Sequence, residues 1–187
     1  MNFIDMVESQ MIASVHTEKS LEQALTSNVN IVFLLTGDLL TAGIYIERLQ
    51  NAGKRVFLHL DFIDGLANSK SAISFVKETW GPTGIITTKS HLIKYASDMG
   101  LMTIQRIFLL DGSAVTKGIE MVNSSKPDAI EIMPGVITKV IDQLSSTLDF
   151  PVIAGGLITE ASEVYEALRC GALAVSSGNP EMWELDL

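Results

Sequence analysis

The stretch Phe150 to Trp183, FPVIAGGLITEASEVYEALRCGALAVSSGNPEMW, decides the fold. It holds two apolar runs, Val152 to Ala154 and Leu173 to Val175, which stop at Gly155-Gly156 and at Ser176-Ser177-Gly178-Asn179. Each reads as a buried strand ending in a small-residue loop that can expose backbone N–H groups. Between them Thr159 is placed to cap a helix, Glu160 and Glu163 fall in its first turn, Ala161, Val164 and Leu168 share a face, and Gly171 closes it. This is a βαβ unit. Asn179 before Pro180 reads as the cap and first residue of one more short helix, whose positive dipole end faces the glycine loop. Gly-Gly after a strand is commonly a plain tight turn, and Asn-Pro commonly a plain loop. Together, ending consecutive parallel strands, they match the phosphate site built after the last two strands of a (β/α)8 barrel.

The rest of the chain keeps the same rhythm. Strands recur at intervals of about 20 to 25 residues with helical patterns between them, as βα units require. The strands read as Met11 to Val15, Ile31 to Leu35, Arg55 to Asp61, Gly84 to Thr88, Leu101 to Phe108 and Asp128 to Gly135. With the two of the opening stretch they make eight, all joined by connections long enough for a crossover helix. The expectation is one domain over residues 1–187, a compact (β/α)8 TIM-like barrel with short helices, because the chain is short for that fold. A residual N-terminal segment would then cover the barrel seam. A doubly wound open sheet is the alternative. Closure is favoured by the polar residues at C-terminal strand ends (His16, Asp61, Lys89, Gln105, Arg106, Glu131, Gly155 and Ser177), since barrel loops converge there on one site.

Composition narrows the function classes. The chain is 47% hydrophobic with 187 residues and a positive mean hydropathy, which argues for a folded globule with a sizeable core. A single cysteine, Cys170, rules out an intrachain disulfide and fits a reducing cytosol. The acidic N-terminus and the lack of an apolar run near the roughly 20 residues that span a bilayer point to a cytoplasmic protein with no membrane partner. A formal charge of −9 disfavours non-specific nucleic-acid binding, which needs a dense basic surface.

His59 and Asp61 lie two apart at the end of the third strand, so alternation sends both into a barrel lumen. With Lys89, Gln105, Arg106 and Glu131 they form a polar constellation. A carboxylate pair with a lysine is the outfit of aldolases and isomerases on this fold. The same residues can serve binding alone, with Arg106 or Lys89 adding charge-assisted donors to a phosphomonoester, or they can simply satisfy one another. No HxH, HExxH or paired CxxC motif is present, so no metal site is expected. Trp80 and Trp183 read as packing groups at helix ends.

Six segments in fixed order are familiar as a set: RVFLHLDFIDGL from Arg55, GIITTKS from Gly84, TIQRIFLLDGSAV from Thr103, DAIEIMPGV from Asp128, FPVIAGGLI from Phe150 and GALAVSSGNPEMW from Gly171. They resemble the glycerol-3-phosphate-responsive antiterminator family, regulators of glycerol-uptake operons, over nearly the whole chain from Met11. The resemblance implies a barrel that binds glycerol 3-phosphate as effector, needs no cofactor, and acts on leader mRNA so that transcription passes a terminator. It does not imply catalysis, so no catalytic residue is expected. The expected phosphate contacts are Gly155, Gly156, Ser177, Gly178 and Asn179, and the remaining polar contacts come from His59, Asp61, Lys89, Gln105, Arg106 and Glu131. The alternative is an isomerase or aldolase acting on a small phosphorylated metabolite. Assembly into a homo-oligomer is left open by the sequence.

Overall fold

Pairing of the last strand with the first closes the sheet, through Met11↔Val175, Ile12↔Ser176 and Ala13↔Ser177. The computed structural model describes residues 2–187. Its eight strands are β1 Met11–Val15, β2 Ile31–Leu34, β3 Arg55–His59, β4 Gly84–Thr87, β5 Met102–Phe108, β6 Ala129–Met133, β7 Val152–Gly155 and β8 Ala174–Ser177. They are parallel and neighbour one another in chain order around a closed barrel. The helices between them are α1 Glu18–Thr26, α2 Ala42–Asn51, α3 Lys70–Phe75, α4 Ser90–Asp98, α5 Gly112–Ser125, α6 Thr138–Thr147 and α7 Ala161–Arg169. After β8 only a one-turn 3-10 segment, Pro180–Glu184, takes the place of an eighth helix. The fold is therefore the compact (β/α)8 barrel, and the open-sheet alternative is excluded. No described helix is long and apolar enough to cross a membrane.

Both faces of each strand are covered, which is why the strands read as continuous apolar runs rather than alternating ones. Alternate residues divide between two cores. Inside the barrel lie Ile12, Phe33, Phe57, Ile86, Ile104, Ile153 and Ala174. Outside it Val32, Leu34, Leu58, Ile85, Ile130 and Val175 pack against helix faces such as Ile46 and Leu49 of α2 and Ile141 and Leu144 of α6. The N-terminal segment does not cover a seam. It plugs the base of the barrel: Phe3 and Met6 are buried in the inner core, with the Phe3 ring edge-on to Phe57 at 5.7 Å. The lumen is thereby shut at its N-terminal end and can open only where the strands end.

Local chemistry sets the boundaries. Thr17 caps α1 in a reciprocal box with Ser20, as its position before the apolar stripe implies. Helix α7 starts one residue later than Thr159 would have set it. Glu160 takes the cap position, because the Glu163 carboxylate accepts from the N–H groups of both Thr159 and Glu160, at 2.8 and 3.0 Å. Strand β8 runs two residues further than the apolar run, through Ser176 and Ser177, because β1 and β7 pair with those serines.

Candidate functional site: the polar mouth of the barrel

Strands β5 and β6 stand in register with Arg106 opposite Glu131, one step above the lumen pair Ile104 and Ala129. Both charged side chains are buried, at 4% and 0% exposure. Arg106 Nε donates to Glu131 Oε2, and Ser176 Oγ of β8 donates to Glu131 Oε1 at 2.6 Å. The carboxylate thus crosses the lumen from β6 to β8. Gly155 at the end of β7 leaves the room it needs: a Cβ there would stand 2.6 Å from Glu131 Oε1. This gives Gly155 a steric role in the lumen, beside its expected place in a phosphate loop.

Arg106 keeps a buried nitrogen uncommitted, since Nη2 has no hydrogen-bond partner. His59, at the end of β3, is fully buried, and neither ring nitrogen has a partner. The Phe62 ring meets it edge-to-face at 4.6 Å. Burial first, and then the charge of Arg106, push the His59 pKa down to about 3, so the ring is neutral at ordinary pH. His16, just beyond β1, is pushed down in the same way by burial and by Arg106.

Asp61 does not join His59 in the lumen as alternation would have it. The strand ends at His59, and Asp61 lies in a 3-10 turn, Leu60–Phe62, which swings its carboxylate over the end of β4. There it binds Lys89 Nζ at 2.6 Å, the Thr88 N–H at 2.8 Å, and the hydroxyls of Thr88 and Thr87 at 3.0 and 3.1 Å. Burial alone would raise its pKa, but Lys89, the Thr88 donors and His59 together outweigh burial and hold it below the usual carboxylate range. Its Oδ2 remains 3.9 Å from His59 Nδ1.

Gln105 is not part of this cluster. It is next to Arg106 on β5, so it faces the other side of the sheet, in register with Thr87 and Ile130, and its amide donates to the Thr87 carbonyl at 3.3 Å. Neighbouring strand residues cannot both enter the lumen.

The loops after β7 and β8 lie side by side. Gly156, with φ +77°, and Leu157, with φ +61°, turn the first of them. The second is tied to it by side chains. Ser177 Oγ donates to the Ile158 carbonyl at 2.9 Å and accepts from the Asn179 N–H, and Asn179 Nδ2 donates to the Thr159 carbonyl at 3.3 Å. Asn179 also caps its own turn, accepting from the Glu181 N–H at 3.1 Å. Pro180 has no N–H, so the short turn offers no free donor of the kind a longer helix N-terminus would supply. The side chains of Ser177 and Asn179 hold the loop in shape, whereas the N–H group of Gly178 has no partner among the loop and turn hydrogen bonds. Trp183 anchors the segment through an Nε1–H bond to the Ser177 carbonyl at 2.8 Å.

The structure thus gathers His59, Arg106 and Glu131 in the lumen, Asp61 with Lys89 on one rim, and the loops of Gly156 and Gly178 on another. Sequence reasoning missed Ser176 as the partner of Glu131. The signal was parity, since Ser176 stands two residues after the lumen residue Ala174.

Comparison with known proteins agrees over nearly the whole length. The family model described as glycerol-3-phosphate responsive antiterminator matches residues 11–183. The crystal structure of the glycerol uptake operon antiterminator regulatory protein from Listeria monocytogenes str. 4b F2365 superposes with a TM-score of 0.91 at 33% identity, covering 95% of this chain and 96% of that one. A glycerol uptake operon antiterminator-related protein from Thermotoga maritima MSB8 gives 0.84 at 32% identity, covering 94% and 98%. The uncharacterized protein YgcP of Escherichia coli (strain K12) is 33% identical over 178 residues, 95% of this chain and 93% of that protein. On the match over residues 11–183, the chain belongs to the glycerol-3-phosphate responsive antiterminator family.

Proposed function

We propose that the protein senses glycerol 3-phosphate at the barrel mouth and, so informed, acts on leader mRNA of a glycerol-uptake operon to let transcription pass a terminator. Family membership carries the regulatory half of this reading. The ligand half rests on the mouth itself. The Gly178 N–H is left for a phosphate between the β7 and β8 loops, with the glycine turn at Gly156 keeping side chains out of the way, and His59 and Arg106 keep buried polar atoms without partners below them. Lys89 stands on the rim, 36% exposed, as a further cation for an anionic ligand.

The arrangement of the carboxylates favours sensing over catalysis. A general base needs a lone pair directed at substrate. Glu131 accepts from Arg106 and Ser176, and Asp61 from Lys89, Thr87 and Thr88, so each carboxylate is tied to protein groups through both of its oxygens. Contact with RNA rests on family membership alone, and the charge of −9 confines it to a local patch.

Glycerol 3-phosphate should raise the melting temperature and glycerol should not, because a ligand that binds only the folded state stabilises it by mass action. Equal shifts from the two would remove the phosphate from the reading. Titration of leader RNA with and without glycerol 3-phosphate tests the regulatory half, and turnover assays with triose and glycerol phosphates test the enzyme alternative.

Gly178→Asp is the sharper probe of the phosphate cradle. A Cβ at Gly178 meets only ordinary contacts, the nearest being His16 Cδ2 at 3.4 Å, whereas Gly156 sits at φ +77°, where any side chain is strained. The Gly178 variant should therefore fold, and its carboxylate should weaken glycerol 3-phosphate binding by about tenfold or more through like-charge repulsion. Unchanged affinity by calorimetry would move the phosphate elsewhere.

A further inference from the structure

We propose that a second copy of this chain seats on the groove between α5 and α6, each copy placing Leu110 in the groove of the other about a two-fold axis, with Asp111 of one paired to Lys139 of the other. This contact lies on the outer face of the barrel and does not depend on what binds at the mouth.

The ring of helices is not closed evenly. Helix α4 packs on α5, and α6 on α7, but α5 and α6 barely meet. Helix α5 is drawn in towards β5: a Cβ at Gly118 would stand 3.0 Å from Ile107 Cγ2. The gap on its far side is a groove of about 380 Å³. Its walls are apolar, with Val115 and Ile119 one turn apart on α5, and Ile137 and Val140 at the start of α6. Each helix already turns another stripe to the barrel, Gly118 with Val122 and Ile141 with Leu144. The groove walls are therefore apolar surface beyond what the fold itself requires.

Leu110 stands at the lip of this groove with 85% of its surface exposed. A large apolar side chain held clear of its own chain, next to an apolar groove, is a knob beside a hole. A two-fold axis brings the knob of each copy to the hole of the other, since in an isologous contact residue i meets residue j and j meets i.

Charge decides for a second copy over an unlike protein. Two chains of net charge −9 repel, so they meet only where the facing surfaces balance. The groove carries one charge of each sign, Asp111 and Lys139. Neither forms an ion pair with a described residue. Asp111 Oδ1 caps α5 by accepting from the Ala114 N–H at 2.8 Å, which leaves Oδ2 for a cation. Lys139 lies in the first turn of α6, where the helix dipole disfavours a cation, so it adds nothing to its own helix. The two-fold that seats Leu110 matches each Lys139 with the other copy's Asp111 and needs no further residue.

The test is sedimentation analysis of the full chain at micromolar concentration. Wild type should run at twice the 20.3 kDa of one chain. Leu110→Glu alters an exposed side chain and should fold as wild type does, yet it should weaken association by about 100-fold or more, because every dimer carries the change twice. Lys139→Glu and Asp111→Lys should each weaken it about tenfold by setting like charges face to face. Mixed one to one, these two variants should associate more tightly than either does alone, because each offers the charge that the other lacks. A structural defect in either variant would give no such recovery. The inference falls if wild type is monomeric, which leaves the groove to an unlike protein, or if Leu110→Glu dimerises like wild type, which puts the contact on another face. It falls also if the two charge variants, both with wild-type circular dichroism, associate no better together than apart. Should Asp111→Lys lose its fold along with its helix cap, Leu110→Glu and Lys139→Glu still decide.

Discussion

Glu131→Gln is expected to lower the unfolding free energy by about 3–5 kcal/mol, the range for removing one partner of a buried ion pair. The side chain is fully buried, with Arg106 on one oxygen and Ser176 on the other. Glutamine keeps the shape but leaves the guanidinium unmatched in a closed lumen, and it turns an N–H pair towards a donor on one side or the other. Urea denaturation should show an earlier midpoint with the slope unchanged. Replacing both partners, as Arg106→Met with Glu131→Leu, should restore most of the loss, since a buried pair often contributes little net stability against apolar residues of similar volume. That double variant should no longer bind glycerol 3-phosphate. A Glu131→Gln protein that melts like wild type would mean that Arg106 is not held as described.

The same residues show what could be read in the sequence and what could not. Closure was legible, because polar residues fall at the C-terminal ends of strands all along the chain, where the loops of a barrel converge on one site. Arg106 and Glu131 were legible as mouth residues. Gln105 should have been separated from Arg106 at once, because adjacent residues on a strand point to opposite faces. Asp61 and Ser176 are of another kind. Their places depend on where a strand stops, and this is settled by pairing with neighbours remote in the chain. Strand β3 gives way to a 3-10 turn after His59, so Asp61 leaves the alternation. Strand β8 continues past its apolar run because Ile12 and Gly155 flank Ser176, so a residue read as loop becomes part of the lumen. Asn179 was located correctly in the loop after β8, whereas Ser177 is the last residue of the strand itself, and a sequence does not reveal that the two side chains tie that loop to the one after β7.

The second large effect is a loss of stability in mild acid that traces to His59. Its pKa falls from 6.5 to about 3 on folding, because burial and the neighbouring Arg106 charge disfavour the imidazolium. The unfolded chain therefore binds more protons than the folded one throughout that window, and stability rises with pH across it. The contribution is fully present above pH 6.5 and is lost progressively as the pH falls towards 3. Each pH unit in the window is worth about 1.4 kcal/mol, so at pH 5 the wild type should have lost about 2 kcal/mol through this group. Asp61 does not obscure the effect. Its own pKa lies below 3.8, so its loss of charge comes at lower pH. His16, also pushed down, adds a change of the same sign in the same range, so the comparison must be with a His59 variant rather than with theory. His59→Phe retains a ring edge for Phe62 to meet and has nothing to protonate. Urea midpoints at pH 7 and pH 5 should therefore separate more in the wild type than in His59→Phe, by an amount equivalent to about 2 kcal/mol. Saturating glycerol 3-phosphate should steepen the wild-type dependence further if the ligand uses the bare imidazole nitrogen, since protonation then removes a hydrogen bond as well as adding a buried charge. Identical pH responses in the two proteins would show that His59 takes up its proton as readily in the folded barrel as in the unfolded chain, and so that the lumen around it is wetter than its burial implies.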